Sequence, residues 1–448
     1  MKVVILGAGK RGTLLARHLI QEKRNVVILE SDPKRASEVQ SKLDCMVKNG
    51  SGTDPQFLKE TEAHKADFFV AVTDSDEVNL VACGIVENLR SAVTTIAAIR
   101  NLTYTGTDGL PATVLGINYI VNPEAETAKS IFKIIKRGIF SDVVTFEHSN
   151  LGLYNLTISD SSIFANKSVS ECRSTIAPEF VIAAISRAGE GLVPSGDTII
   201  LSDDVLSLVV SDSEKKALFR LIGQSQVKSK RIVIVGGSKI ARFLLKLFEP
   251  THHKSIVLVE KDPQACEEFA ALFPNLLVIK SDIGDELIFK EERFETKDLL
   301  ISLTDNDELN IITCSYAKQL GVTNTMALIR NNNYIRLAEN LGIDSIISIS
   351  EATVDSLLKY MRGEHVSSVH SLFGGKFEII ELEVSSEMKV SGKKISSIDM
   401  RGKGVIAGIT TRKGTNIIPT GEYTIKSGDT LLICASREEL DFVQKLVI

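Results

Sequence analysis

The sequence predicts an α/β protein in which a doubly wound parallel-sheet domain, followed by a small β-rich lobe, occurs twice. Three observations predict this fold class: short apolar runs alternate with helical patterns, several runs are apolar throughout, and the pattern returns in the second half of the 448 residues. Runs that are apolar throughout are typical of parallel strands buried on both faces. Their alternation with helices indicates a doubly wound sheet.

An internal repeat covers nearly the whole chain. The stretch DFFVAVTDSDEVNL from Asp67 is echoed by DLLISLTDNDELNI from Asp298, and AAIRN ending at Asn101 returns as ALIRN ending at Asn331. The offset between the copies drifts slightly, as small loop insertions and deletions produce. Self-similarity of this kind indicates a repeated architecture.

The first part of each copy is strand-rich and helix-rich in alternation. A longer helix is predicted from Glu124 to Arg137, ended by Gly138, because glycine just past a basic last turn stops helices well. Its counterpart is predicted from Glu351 to Arg362, ended by Gly363. The predicted strands of the first copy are Val3–Leu6, Val26–Leu29, Cys45–Lys48, Phe68–Val72, Thr94–Ile99 and Tyr119–Val121.

The second part of each copy consists of short strands separated by Gly, Pro, Asp and Ser turns, which predicts a small β-rich domain. Turn chemistry alone is expected to explain a recurring Pro-Gly-Asp feature. This feature comprises Pro194, Gly196 and Asp204 in the first copy and Pro419, Gly421 and Asp429 in the second. The predicted domains are 1–138, 139–226, 227–363 and 364–448.

Bulk properties exclude several classes of function. The chain is 44% hydrophobic and 24% charged with a net charge of −5, so it has no basic footprint and a nucleic-acid partner is not expected. We see no signal peptide, and no apolar run approaches the roughly 20 residues that cross a bilayer. The six scattered cysteines are typical of reduced thiols in a cytosolic protein, and the histidines form no metal-ligand spacing.

A glycine-rich loop in the first copy indicates a dinucleotide site. Gly7-Ala8-Gly9-Lys10-Arg11-Gly12 follows a strand and opens a helix, which is the required context. Gly7 permits a tight turn, Gly9 lets backbone approach a pyrophosphate, and Gly12 allows close helix–strand packing. The helix N-terminus supplies N–H groups for phosphates.

An acidic residue strengthens this interpretation. Glu30 ends the second strand, where a carboxylate accepts hydrogen bonds from ribose hydroxyls and repels a 2′-phosphate. The sequence therefore favours NAD(H) or an adenine nucleotide over NADP(H).

Three further stretches fall at strand C-termini, where ligands bind in open α/β sheets. Asn49–Gly52, with Gly50 and Ser51 at its centre, is positioned to border an adenine. Thr73-Asp74 follows strand four, and Arg100 ends strand five within bidentate reach of a phosphate. Two alternatives stay open. The acids also fit helix capping boxes, Asp74 to Glu77 and Asp305 to Glu308, and Arg100 and Arg330 also fit an interdomain ion pair.

The second copy of the loop is altered. Ser238 replaces Gly9, and its Cβ would crowd an approaching pyrophosphate. Ala241 replaces Gly12, a tolerated change. The retained residues are Gly236, Lys239, Glu260, Thr304, Asp305 and Arg330. Two interpretations fit this loop: a structural relic that binds no ligand, or a weaker or different nucleotide site. We favour the second, a retained but altered nucleotide site.

These features together resemble a known family. A GAGxxG loop, an acid after strand two, TDSDEVN after strand four, IRN after strand five and a β-rich lobe, all occurring twice, resemble the TrkA family of Trk potassium-uptake regulatory subunits. That family joins two RCK (KTN) modules, each a Rossmann-like N-lobe plus a C-lobe. The resemblance covers essentially the whole chain.

The resemblance implies a cytosolic regulatory subunit on the cytoplasmic face of the membrane, peripheral to a potassium-transporting membrane subunit. It also implies a homo-oligomeric ring, expected to be a tetramer, whose gating changes with NAD(H) or with ATP/ADP. The candidate contacts in the first copy are Gly7, Ala8, Gly9, Lys10, Arg11, Gly12, Glu30, Gly50, Ser51, Thr73, Asp74 and Arg100. Those in the second are Gly236, Gly237, Ser238, Lys239, Ile240, Glu260, Thr304, Asp305 and Arg330.

A regulatory switch is favoured over an enzyme. Hydride transfer needs a positioned acid or base and a substrate pocket beside the nicotinamide, and we can place neither His–Asp nor Tyr–Lys there. An NAD-dependent oxidoreductase is the alternative, and a structural interaction protein with vestigial loops is a third hypothesis.

Overall fold

The structure is a computed structural model that describes residues 1–89, 92–104, 116–137, 143–177, 179–221, 231–361, 366–400 and 402–447. The predicted domain boundaries and the predicted helix stops at Gly138 and Gly363, with Arg362, lie outside the described residues. By compactness the chain divides into two units. Unit 1 comprises Met1–Asn122, Val144–Gly223 and Thr353–Ile448, and unit 2 comprises Pro123–Val143 and Gln224–Ala352.

Strands and helices alternate through the first N-lobe and continue into the first C-lobe. The strands are β1 Lys2–Leu6, β2 Asn25–Glu30, β3 Met46–Asn49, β4 Phe68–Ala71, β5 Thr94–Ala98, β6 Tyr119–Val121, β7 Val143–Thr145, β8 Leu151–Thr157, β9 Phe180–Arg187, β10 Glu190–Leu192 and β11 Val205–Ser211. The helices are α1 Lys10–Gln21, α2 Pro33–Lys42, α3 Pro55–Glu60, α4 Asp76–Leu89, α5 Pro123–Arg137, α6 Val169–Thr175 and α7 Asp212–Leu221.

The second copy follows the same order. Its strands are β12 Ile232–Val235, β13 Ile256–Glu260, β14 Leu277–Lys280, β15 Leu299–Ser302, β16 Asn324–Leu328, β17 Ser345–Ile347, β18 Val366–Leu372, β19 Phe377–Glu383, β20 Gly404–Thr410, β21 Asn416–Ile417 and β22 Thr430–Ser436. Its helices are α8 Lys239–Leu247, α9 Pro263–Leu272, α10 Glu286–Glu291, α11 Asp307–Gln319, α12 Ile335–Asn340, α13 Ile349–Met361 and α14 Leu440–Val447.

The two N-lobe sheets are parallel and confirm the predicted fold class. Their strand orders are β3-β2-β1-β4-β5-β6 and β14-β13-β12-β15-β16-β17. Each predicted strand of the first copy lies within one residue of an observed strand. Val3 and Ile5 enter the core on one face of the sheet, whereas Val4 and Leu6 enter the core on the other. Burial on both faces is the reason that these strands are apolar throughout.

The C-lobe sheets are antiparallel, with the orders β10-β9-β11-β8-β7 and β18-β19-β22-β20-β21. Both C-lobes belong to unit 1, where they share an apolar core. Leu153 and Val181 of the first C-lobe pack there with Ile379 and Leu432 of the second. The buried Glu381 carboxylate also accepts hydrogen bonds from the backbone N–H groups of residues 147 and 148.

The first N-lobe in unit 1 packs against parts of the second copy. Leu357 and Leu358 of α13 share a core with Leu15 of α1, and Tyr119 stacks on Tyr360 with ring centroids 4.5 Å apart. Unit 2 contains the corresponding arrangement for the second N-lobe. There α5 packs on α8, with Ile131 in the shared core.

A charged cluster is buried where α1 meets the second C-lobe in unit 1. Arg437 is 3% exposed and Glu378 is fully buried. The Arg437 guanidinium donates to Glu378 Oε1 at 2.8 and 3.0 Å, to Gln21 Oε1 at 2.6 Å and to His18 Nδ1 at 2.8 Å. Because arginine can only donate, His18 Nδ1 is the acceptor of this hydrogen bond.

The prediction that turn chemistry alone explains Asp204 and Asp429 is wrong. Both carboxylates are buried, and each bonds a side chain as well as the turn backbone. Asp204 accepts two hydrogen bonds from Arg187 and one from the N–H of Leu201. Asp429 accepts instead from the hydroxyl of Tyr423 at 2.9 Å and from the N–H of residue 426.

Candidate functional site

The first glycine loop leaves an open space above the start of α1. Gly7 has a φ of +105°, and its N–H donates to Leu29 O at 2.8 Å. A Cβ at Gly12 would lie 1.9 Å from Gly7 O, whereas a Cβ at Gly9 would meet nothing within 4 Å. Gly9 is the N-cap of α1 with ordinary extended dihedrals and no side-chain cap. Gly7 and Gly12 are therefore required by the turn itself, and Gly9 keeps the loop open.

Glu30 holds this loop from the end of β2. The residue is 6% exposed, and its carboxylate oxygen Oε2 accepts a hydrogen bond from the N–H of Ala8 at 2.7 Å. The other oxygen accepts the N–H of Asp32 at 2.9 Å. The carboxylate thus joins the glycine loop to the start of α2 and retains lone pairs for a further donor.

Arg11 lies on α1, and its side chain reaches the residues that follow β4. The residue is 7% exposed, and its guanidinium donates to Thr73 O at 3.3 Å and to Asp74 Oδ1 at 3.0 Å. Arg100 reaches the same carboxylate, with its guanidinium 3.9 Å from Asp74. The structure therefore brings Arg11, Thr73, Asp74 and Arg100 together at one strand edge beside the glycine loop.

The structure does not support the alternative that Asp74 and Asp305 cap helices, because the capping residues lie one position further along. Ser75 accepts the N–H of Val78 at 3.2 Å, and Asn306 accepts the N–H of Leu309 at 2.7 Å. Asp305 instead pairs with Arg330. That pair lies within the second N-lobe, so it does not support the interdomain alternative for Arg330.

Gly50 and Ser51 directly follow β3. The N–H of Gly50 donates to Glu30 O at 2.9 Å, and a Cβ at Gly50 would lie 2.4 Å from the ring of Phe57. Ser51 is exposed and its hydroxyl is 2.9 Å from that of Thr53. Close packing therefore explains Gly50 without a ligand.

The second loop has the same backbone path and a different chemistry. Gly236 has a φ of +97°, and its N–H donates to Val259 O at 2.9 Å. Ser238 adopts φ −80° and ψ 168°, close to the −70° and −173° of Gly9, so the serine is not strained. Its hydroxyl accepts the N–H of Ala241 at 3.3 Å and caps α8.

The other members of the second set also have defined positions. Glu260 accepts hydrogen bonds from Gly237 N–H and from the N–H of Lys261. Lys239 is exposed, whereas Ile240 is 2% exposed in the core. Arg330 donates to Thr304 O at 2.9 Å as well as to Asp305. A different arginine therefore holds the end of strand four in each copy.

A cleft lies over this second loop. Its volume is about 380 Å³. The lining comes from the C-terminal ends of β12, β13, β14 and β15 and the residues that follow them. This edge is where a doubly wound sheet binds its ligand.

In each copy, an asparagine and an aspartate that hold the ends of strands four and five were not predicted from the sequence. Asn79 is fully buried, and its amide oxygen accepts Thr73 N–H while its amide donates to Ala98 O at 2.8 Å. Asp76 accepts the N–H of Arg100 at 3.0 Å. Asn310 and Asp307 make the same contacts in the second copy. Their recurrence in TDSDEVN and TDNDELN was the available signal.

A tyrosine–glutamate pair flanks each strand edge. The hydroxyl of Tyr104 donates to Glu77 at 3.0 Å, and that of Tyr334 donates to Glu308 at 2.6 Å. These hydrogen bonds raise the pKa of both tyrosines.

Beside the second loop, burial and the Glu260 charge raise the pKa of the Cys266 thiol, so it is not a reactive thiolate.

None of the described helices combines the length and the apolar character needed to span a bilayer. Within the described residues, no three or more His, Cys, Asp or Glu side chains are grouped so that they could hold a metal ion.

Comparisons with solved structures agree with this architecture. The GsuK channel bound to NAD aligns with a TM-score of 0.57 at 18% identity, covering 99% of this chain and 78% of that chain. The GsuK RCK domain aligns with a TM-score of 0.56 at 17% identity, covering 99% of this chain and 94% of that chain. At such low identity these likenesses support the fold alone.

Comparisons with sequences identify the family. The chain is 28% identical to Trk system potassium uptake protein TrkA homolog 1 of Methanosarcina mazei, covering 99% of both chains. It is 29% identical to the TrkA protein of Haemophilus influenzae, covering 100% of this chain and 98% of the relative. The TrkA-N domain model matches residues 3–123 and 232–349, and the TrkA-C domain model matches residues 153–223 and 379–447. With these domains alternating along its length, the chain belongs to the TrkA family.

Proposed function

We propose that this protein is the nucleotide-binding regulatory subunit of a Trk-type potassium-uptake system. It switches a membrane potassium-transport partner when NAD(H), or alternatively ATP or ADP, binds its N-lobes. The observation that carries the proposal is the first glycine loop, which is open above Gly9 and bordered by Glu30. Relatives that align over the whole chain are named potassium uptake proteins, which supports the transport role and does not favour an oxidoreductase.

The residues present in the first N-lobe fit NAD(H). The space above Gly9 accepts a close pyrophosphate, and the start of α1 has no side-chain cap that would compete for its N–H groups. Glu30 ends β2, where a carboxylate accepts ribose hydroxyls. When bound, the dinucleotide supplies two riboses and a pyrophosphate as recognition groups, and no chemical step is required of it.

The fold offers a connection from this site to the rest of unit 1. Helix α1 begins at the glycine loop and ends at His18 and Gln21, which bond Arg437 of the second C-lobe. A rigid helix that is held at both ends can couple loop occupancy to the lobe it contacts. Regulation then requires that the nucleotide bind one arrangement of the lobes better than another, because equal binding shifts nothing.

The proposed assembly is a homo-oligomeric ring, with a tetramer as the expected form, on the cytoplasmic face of the membrane. The membrane subunit supplies the pore. This part of the proposal rests on the family to which the chain belongs, and co-purification with a membrane potassium-transport subunit, with and without nucleotide, tests it. The proposal expects capture of the subunit and a change in its potassium flux on adding NADH or ATP.

Calorimetry on the full chain tests the ligand. We expect NADH to bind, and Glu30→Ala to weaken binding by about 10-fold or more, the value of a hydrogen bond to a charged group. Glu38→Ala, which removes an exposed glutamate on α2, is the matched control and should leave binding unchanged. A folded wild-type chain that binds none of NADH, ATP and ADP would overturn the proposal.

A further inference from the structure

The cleft over the second loop lies mainly over the β12–β14 half of the sheet and reaches only β15, the first strand of the other half. Its lining begins at the glycine loop and extends across Glu260, Asp282 and Ile283 to Thr304 and Asp305. These residues follow β12, β13, β14 and β15, and the lining does not extend to the ends of β16 or β17. A dinucleotide lies across both βαβαβ halves of a 3-2-1-4-5-6 sheet, one nucleotide to each half. The cleft therefore corresponds to one nucleotide.

Its size supports the same conclusion. The volume of about 380 Å³ lies near the lower end of the roughly 300–1,000 Å³ found for small-molecule pockets. The apolar side chains of Val259, Ile283 and Leu309 line it beside the Glu260 carboxylate. This combination suits a flat base on apolar groups and a ribose that donates its hydroxyls to the carboxylate.

The phosphate end of this cleft is poorer in positive groups than its counterpart. The buried guanidinium of Arg11 is replaced by the buried side chain of Ile240. Arg330 takes over the contact with the carbonyl of Thr304. The side chain of Ser238 occupies the N–H of Ala241, so α8 also offers one donor fewer than α1. One phosphate can still meet the remaining N–H groups at the start of α8, but the groups for a second are reduced.

We propose that the second N-lobe binds a single ribonucleotide and not a dinucleotide, whereas the first N-lobe binds NAD(H). The ribose lies on Glu260, the phosphate lies at the loop from Gly236 to Ile240, and Ser238 and Ile240 set the preference. This inference rests on the proposed function, because it assumes that the N-lobes bind nucleotides. It assigns different ligands to two sites that share one fold.

Stoichiometry measured by calorimetry tests the division. The full chain should bind one NADH per chain, and AMP should then bind at one further site per chain in protein that already holds one equivalent of NADH. Glu260→Ala should remove the AMP event, and Glu38→Ala on α2 should leave both events unchanged. Thermal melting of each variant establishes that it remains folded.

Reciprocal substitutions test the two determinants. Gly9→Ser should lower NADH affinity by about 10-fold, since the new hydroxyl takes one N–H donor from the phosphates. The double variant Ser238→Gly with Ile240→Arg should raise NADH stoichiometry from one toward two per chain. Gly9 is a clean position because its space is empty and its φ is negative, so loss of fold does not confuse the result.

The outcomes separate this inference from the proposed function. Two equal NADH sites in the wild-type chain, or an AMP event that one equivalent of NADH abolishes, would overturn the inference and leave the proposed function standing. A folded chain that binds neither NADH nor AMP nor ATP would overturn both. One NADH plus one AMP per chain, with the Glu260→Ala loss, supports the inference.

Discussion

The two N-lobes share a strand order and a loop path but differ in the groups that complete them. In the first, Gly9 leaves the start of α1 uncapped and Arg11 bonds the carbonyl of Thr73. In the second, Ser238 caps α8 and Arg330 bonds the corresponding carbonyl of Thr304. A duplicated backbone can therefore keep its shape while its chemistry diverges, because backbone hydrogen bonds and buried apolar strands maintain the shape.

The two glycine-loop helices also differ in how they are anchored. Helix α1 ends on the buried cluster of Arg437, Glu378 and His18, whereas α8 packs on α5 with Phe132 against Phe248. The residue of α8 that matches His18 in the repeat is Leu247, which is 38% exposed. Apolar packing is common to both helices, since α1 also packs on α13, so the buried charged cluster is the difference and the two should respond differently to substitution.

Removal of Arg437 should have the largest effect on stability. Arg437→Met leaves the Glu378 carboxylate buried without its guanidinium, which typically costs about 3–5 kcal/mol. Urea denaturation of the full chain measures the loss, and Leu247→Ala in α8 is the comparison, with an expected cost of about 1 kcal/mol for a side chain that is partly exposed. Replacing both partners, as Arg437→Met with Glu378→Leu, should recover much of the stability. An Arg437→Met variant as stable as the wild type would contradict the stabilising role of the Arg437 cluster.

Substitution at the third glycine of the loop, Gly12, should have the next largest effect on stability. Gly12→Ala places a Cβ 1.9 Å from Gly7 O and should cost about 1–3 kcal/mol through forced backbone movement. The second copy already holds Ala241 there, so the reverse change Ala241→Gly should cost only about 1 kcal/mol through helix propensity. Thermal melting of the two variants compares them. Equal losses would show that the two loops do not differ in width.

The capping difference should give a smaller effect of predictable sign. Ser238→Ala removes the hydroxyl that caps α8 and should lower stability by about 1 kcal/mol. Gly9→Ala fills empty space at a residue with no side-chain cap, so it should change stability by no more than about 0.5 kcal/mol. Denaturant midpoints report both. A destabilised Gly9→Ala would mean that the loop needs glycine for its backbone and not for a ligand.

The two C-lobes should differ in the pH range that weakens them. Burial opposes ionisation of Asp204, but the Arg187 hydrogen bonds and the Leu201 N–H lower its pKa. Since this folded-state pKa lies below the unfolded value of about 3.9, the contribution is complete above that pH and is lost as pH falls through the folded pKa. Burial and Asp429 raise the pKa of Tyr423 to about 12, so its contribution is lost as pH rises from about 10 through 12.

Matched variants check this last comparison. Asp204→Asn should flatten the acid limb of stability against pH, and Tyr423→Phe should flatten the alkaline limb. Each variant is the control for the other, because each should leave the opposite limb unchanged. Identical pH profiles for the two variants would show that the carboxylates of Asp204 and Asp429 do not act through different partners.

Local patterns were sufficient to predict much of this protein. The apolar runs placed every strand of the first N-lobe to within one residue. In β1, β2 and β4 the pattern is clearest, because strands buried on both faces have almost no polar positions. The glycine spacing and Glu30 identified the loop, since its turn and close packing depend on residue type. The capping alternative for Asp74 and Asp305 missed the true caps by one residue. Asp, Ser and Asn are all good caps, and only backbone geometry selects Ser75 and Asn306.

The sequence by itself determined the duplication, the sheet class and the two glycine loops, because each is written in neighbouring residues. Tertiary structure alone decided which arginine meets the end of strand four, how Asp204 and Asp429 are paired, and that Arg437 joins α1 to the second C-lobe. These contacts join residues far apart in the chain, such as Arg437 and Gln21, and a long side chain can reach several partners. Packing selects among those partners, and a single sequence does not record the selection.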